Sequence, residues 1–113
     1  MRTLILSDLH IGDPRYEDNN LTYSILNKES FDRLILNGDV VDLWTSSLKT
    51  IKKPPILQYL SNIAQIKELI WVLGNHDWLA RGKNLIPGAI EVESYIIPDT
   101  NILCVHGHQV YEF

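Results

Sequence analysis

Four short clusters in this sequence carry residue types that do chemistry: Asp8-Leu9-His10, Gly38-Asp39-x-x-Asp42, Gly74-Asn75-His76-Asp77 and His106-Gly107-His108. Carboxylate, imidazole and amide oxygen together suit Mn²⁺, Fe or Zn²⁺, whereas Ca²⁺ takes few imidazoles and structural Zn²⁺ usually takes thiolates. The donor set is therefore that of a transition-metal centre. In one arrangement Asp39 bridges two cations, with Asp8 and His10 on one side and Asn75 and His106 on the other. Two cations about 3.5–4 Å apart clamp the attacking and leaving oxygens of a phosphoryl displacement, and a bound water can fall in pKa from about 15.7 toward about 7. Each cluster alone has a plainer reading as a turn or helix cap. Their recurrence behind successive apolar runs favours one shared site.

Those runs must position the clusters. Residues 3–6, 33–36, 69–73 and 102–105 are short, apolar and followed by turn formers, which predicts four buried strands. Pro54-Pro55 precedes Ile56, Leu57, Leu60, Ile63 and Ala64, an amphipathic helical spacing. A second helix is expected around residues 21–26. Strand, helix, strand, helix, strand predicts a parallel sheet with right-handed crossovers, whose carboxyl-end rim borders a ligand crevice. Residues 89–97 suit one further strand, and residues 98–101 a turn into the last strand, so the tail reads as a hairpin. Gly38, Gly74 and Gly107 are expected to permit tight turns and close approach at the strand ends.

The 113 residues hold 10 Lys+Arg against 14 Asp+Glu, a net charge of -4, with 45% hydrophobic and 21% charged residues. That balance fits one soluble globular domain and gives no basic surplus for coating a nucleic acid. The opening apolar run is too short for a signal peptide or a membrane span. A single cysteine, Cys104, excludes an intrachain disulfide and reads as a buried, reduced thiol, which points to a cytoplasmic setting. The basic run at residues 49–53 reads as solvated. Trp71, inside a strand, reads as core. Trp44 and Trp78 read as core or rim packing, with walls of a substrate site as the other reading. Asp13, Asp32 and Asp99 read as ordinary surface or turn aspartates.

In their order and spacing, the four clusters resemble the calcineurin-like metallophosphoesterase superfamily. Ser7-Asp8-Leu9-His10-Ile11-Gly12, residues 38–44 and His106-Gly107-His108-Gln109 resemble most the UDP-diacylglucosamine pyrophosphohydrolase branch. The resemblance implies the N-terminal portion of a layered α/β/β/α sandwich. It assigns Asp8 and His10 to a first metal, Asp39 to both, and Asn75 and His106 to a second, with Mn²⁺ the first expectation. His76 corresponds to the histidine that contacts the phosphate and protonates the leaving group, work suited to an imidazole at neutral pH. Asp42, Asp77 and His108 are expected to support ligands or substrate, since metal-binding imidazoles need an orienting partner. The family pattern includes a further Gly-His-x-His element that these residues do not contain, which implies one domain over 1–113 that is incomplete at its C-terminal end.

The function expected is metal-dependent hydrolysis of a phosphoester or diphosphate, the narrower branch implying a lipid-linked nucleotide diphosphate and peripheral membrane contact. The alternative is a non-catalytic metal- or nucleotide-binding module, or one that works only with a partner chain or as an oligomer.

Overall fold

Two strands, β2 (Arg33–Asn37) and β3 (Glu68–Val72), carry unbroken apolar runs, Leu34 to Leu36 and Leu69 to Val72, which can be buried on both faces only at the centre of a sheet. They pair in parallel, with Arg33 opposite Glu68 and Asn37 opposite Val72. The structure is a computed structural model describing residues 1–16 and 20–107, with only the backbone described for Asn20. β1 (Thr3–Leu6) and β4 (Ile90–Val92) flank the central pair in parallel, giving the order β1-β2-β3-β4.

Right-handed crossovers that step across a sheet in one direction must lie on one of its faces. Accordingly α1 (Asn20–Lys28), α2 (Leu48–Ile51) and α3 (Ile56–Ile66) share a core with Leu34, Leu36, Leu69 and Trp71 from a single face of the sheet. The alternate residues Ile35, Ile70 and Val72 meet Ile97 and Cys104 on the other face, as the period of two in a strand requires. There a hairpin of β5 (Tyr95–Ile96) and β6 (Leu103–Cys104) forms a second, antiparallel sheet. Ile56, Leu57 and Leu60 fix α3 to the sheet, each buried side chain contributing about 1.5–3 kcal/mol.

Several expectations change. The strand expected over 89–97 is two strands separated at Glu93-Ser94, because β4 pairs with β3 while β5 turns to pair with β6. The last strand is therefore not part of the parallel sheet. β1 is only partly buried and Ile5 is 45% exposed, as an edge strand with one neighbour permits. The basic run at 49–53 contains the end of a short helix, α2, capped when Thr50 N–H donates to Ser47 Oγ. Trp71 is wholly buried and Cys104 is a buried free thiol, its pKa pushed up by burial. Trp44 and Trp78 are not core: they are 61% and 38% exposed.

Candidate metal centre

Past the ends of β1 and β2 the chain continues as two loops that zip together. Asp8 N–H donates to Gly38 O, His10 N–H to Asp39 O, Ile11 N–H to Val40 O and Asp42 N–H to Ile11 O, all at 2.8–3.0 Å. Asp8, His10 and Asp39 each adopt φ of 51–57°, a left-handed conformation that is uncommon for residues other than glycine. Strain of that kind persists only where neighbouring structure over-determines it, and here the paired loops do so. The effect is to break the strand alternation and turn three donor side chains toward the rim.

Those side chains converge. His10 Nε2 lies 3.6 Å from Asp8 Oδ1 and 3.9 Å from Asp39 Oδ2; His106 Nε2 lies 3.0 Å from Asp39 Oδ2 and 3.8 Å from Asp8 Oδ1. Asp42, 1% exposed, contacts two further nitrogens, His10 Nδ1 at 3.3 Å and His76 Nδ1 at 3.2 Å. The His76 contact is not aligned as a hydrogen bond. His76 is tied to the cluster by its backbone N–H, which donates to Asp39 Oδ1 at 2.9 Å. Asp8, Asp39 and His106 thus form one compact trio, and His10, Asp42 and His76 another. Asn75 is partly buried between Gly74 and His76, and its amide makes none of the ion-pair contacts that join these residues. His108 lies outside the described residues.

The donor chemistry fits divalent cations. A nitrogen or carboxylate oxygen sits about 2.0–2.2 Å from bound Zn²⁺, so two donors sharing one ion are at most about 4.2 Å apart. All four separations among Asp8, Asp39 and the two imidazole Nε2 atoms satisfy that bound. His106 Nδ1 lies 3.0 Å from the carbonyl oxygen of Asn37, which can only accept, so the ring proton belongs on Nδ1 and the Nε2 lone pair is left for a cation.

Electrostatics follow from burial and neighbours. Burial opposes the charged form of His106, yet the Asn37 carbonyl and the Asp39 and Asp8 carboxylates outweigh it and raise its pKa. Burial also pushes Asp42 up, but contacts with His76 and His10 prevail and its pKa is lowered. Asp77 is fully buried, and burial raises its pKa against the donors it accepts from: Val40 N–H at 2.8 Å, Trp71 Nε1–H at 2.9 Å and Gly74 N–H. It braces the loops after β2 and β3 and touches none of the histidines in these contacts.

Two glycines are required here. A Cβ on Gly38, whose φ is +87°, falls on the His106 ring, and one on Gly74 falls on the Asp39 carboxylate. Residue-type reasoning missed Asn37, and it named Trp44 as a candidate wall of a substrate site without foreseeing its contact with His76. Asn37 holds the His106 segment through both its carbonyl and its amide, which donates to Val105 O at 3.1 Å. Trp44 stacks on His76 with ring centroids 3.8 Å apart. An amide ending a strand next to Gly-Asp was the available signal for Asn37.

Fold and donors together define an α/β protein with a candidate metal centre at the carboxyl rim of a parallel sheet. The family model for calcineurin-like phosphoesterases matches residues 1–112, and the chain belongs to that family. Among solved structures it is similar to the Pseudomonas putida nuclease MPE, with 19% identity and a TM-score of 0.61, over 88% of this chain and 52% of that one. That likeness is one of fold, and the chain spans about half the length of that structure. A comparison with curated proteins gives no match.

Proposed function

We propose that this protein hydrolyses phosphoester or diphosphate bonds in a metal-dependent reaction. One observation carries the reading: carboxylates and imidazoles following β1, β2 and β6 bring their donor atoms within 3.0–3.9 Å of one another. Asp8, His10 and Asp39 would hold one cation, and Asp39, His106 and the Asn75 amide oxygen a second. Bound there, Mn²⁺, Fe or Zn²⁺ supplies charge neutralisation at the phosphoryl oxygens and acidifies water. Asp42 holds the His10 ring by a hydrogen bond at Nδ1 and lies beside His76 Nδ1 as a negative charge, leaving His76 Nε2 to protonate the departing oxygen. Asp77 takes no part in the proton transfer and keeps the loop that carries Asn75 and His76 in place.

The substrate class is a phosphate ester or nucleotide diphosphate. The motif resemblance to the UDP-diacylglucosamine branch supports a lipid-linked diphosphate, with peripheral contact at a membrane surface. No helix among the described residues is long and apolar enough to cross a membrane. A cytoplasmic setting, and one domain over residues 1–113 that is incomplete at its C-terminal end, belong to the same reading.

The test is turnover of bis-p-nitrophenyl phosphate by the purified chain. Turnover is expected to need added Mn²⁺ and to stop with chelator. On an alkyl phosphodiester, whose poor leaving group needs the proton that p-nitrophenolate does not, the rate is expected to fall about 10²-fold or more in His76→Ala, the range of general acid catalysis. Equal rates in His76→Ala remove that residue from its role. A second reading, a non-catalytic or partner-completed metal module, is favoured by the count of three chain donors that each assigned cation would have, with Asp39 counted for both. Stoichiometric metal without turnover on any phosphoester selects it.

A further inference from the structure

Three consecutive residues are directed at His76. Asp42 Oδ1 lies 3.2 Å from its Nδ1. Leu43 N–H donates to its backbone carbonyl at 3.1 Å. The Trp44 ring then lies over the imidazole, centroids 3.8 Å apart and planes tilted by 30°. The loop takes this shape because the buried Asp42 carboxylate, through Oδ1, also accepts the N–H groups of Trp44 at 3.1 Å and Thr45 at 3.3 Å. Such a side chain to backbone turn folds the next residues back over the aspartate. His10 meets His76 edge-on, with centroids 4.9 Å apart and planes at 87°.

Trp44 has no role in the core that explains this: it remains 61% exposed while its indole lies against a polar ring. The second torsion of histidine is broad and settles no single ring orientation by itself. A ring that must deliver a proton therefore needs outside contacts to fix it. Asp42 Oδ1 stands 3.2 Å from the Nδ1 side of His76 without an aligned hydrogen bond to hold the ring, Trp44 covers a face, and Nε2 is the nitrogen left for substrate.

We propose that Trp44 is a positioning residue for His76, its indole holding the imidazole plane so that Nε2 faces the leaving oxygen of the substrate. The proposal rests on the role given to His76 above and deepens it by naming what holds that ring.

The full chain carrying Trp44→Ala or Trp44→Phe tests it in two ways. In the metal-free protein, NMR reads the His76 ring protons, which an indole at this distance shifts upfield. The shift is expected to vanish in Trp44→Ala and to persist in part in Trp44→Phe, with unchanged melting temperatures because Trp44 is exposed. With Mn²⁺ and an alkyl phosphodiester, whose leaving oxygen needs a proton, Trp44→Ala is expected to lower kcat about tenfold at constant KM, inside the ~10²-fold cost of a small misplacement. Trp44→Phe is expected to restore most of the rate. Unaltered His76 shifts in Trp44→Ala overturn the proposal, and so does a rise in KM at constant kcat, which makes Trp44 a wall for substrate. If the wild-type chain turns over no phosphoester, the hydrolase reading fails. The orientation of the His76 ring in the metal-free protein then decides alone, read from the pattern of nuclear Overhauser contacts from its ring protons: averaging over several orientations in Trp44→Ala supports the hold on His76, and one unchanged orientation overturns it.

Discussion

His106 donates its Nδ1 proton to the backbone carbonyl of Asn37 at 3.0 Å, across 69 positions of sequence. Because that carbonyl has no proton to give, the contact decides which nitrogen of the ring is available at the rim, and it is Nε2 that meets Asp39. A backbone oxygen at the end of β2 thereby sets the chemistry of a residue delivered by the other sheet.

This geometry makes stability depend on pH in a defined direction. The raised pKa of His106 means that the folded chain holds the imidazolium more tightly than the unfolded chain does. Without metal, the His106 contribution is therefore fully present below the ordinary imidazole value of 6.5 and is lost as pH rises through the higher folded value. Urea denaturation at pH 6 and pH 9 is expected to show this loss in the wild type and not in His106→Gln. Metal competes with the proton, so added Mn²⁺ is expected to stabilise more at pH 8 than at pH 6. Equal stabilisation at both values argues against His106 as a ligand.

Asp42 contacts two histidines at once. Replacing it by Asn keeps the shape and removes the charge that orients both rings. Loss of an orienting partner behind a metal ligand typically costs about 10–100-fold in affinity, and Asp42→Asn is expected to weaken Mn²⁺ binding by that much. Calorimetric titration reads it directly; an unchanged affinity means that His10 is held by other contacts.

Asp77 is different in kind. In Asp77→Ala the N–H groups of Val40, Gly74 and Trp71 lose their buried acceptor together. Each buried donor left unsatisfied costs about 1–3 kcal/mol, so a loss of at least ~3 kcal/mol is expected. The urea midpoint measures it. A loss below ~1 kcal/mol shows that water or a shifted loop satisfies those donors.

Gly38→Ala places a methyl group against the His106 ring, at a backbone angle that side chains rarely take. Overpacking of this sort costs about 1–3 kcal/mol, which the paired central strands should survive. The expected signature is a folded protein by circular dichroism with a lower melting temperature and weakened metal binding. Full metal affinity in Gly38→Ala would mean that His106 yields without leaving the centre.

Much of the framework was legible because it depends on local properties. Apolar runs at 33–36 and 69–73 can be buried only from both sides, which placed β2 and β3. The spacing of Ile56, Leu57 and Leu60 fixed one face of α3. The break between β4 and β5 was not legible, since a short apolar stretch suits a parallel or an antiparallel neighbour equally and only the available partner decides.

The candidate site divides in the same way. Residue identity and motif order pointed to Asp8, His10, Asp39 and His106 as donors, because carboxylate and imidazole chemistry is a property of the side chain itself. Which nitrogen faces the rim, which carboxylate orients which ring, and that Trp44 lies on His76 depend on distances of 3–4 Å between residues remote in sequence. Short-range forces of that kind are set by how two sheets and their connecting loops come together, so only the tertiary structure decided them.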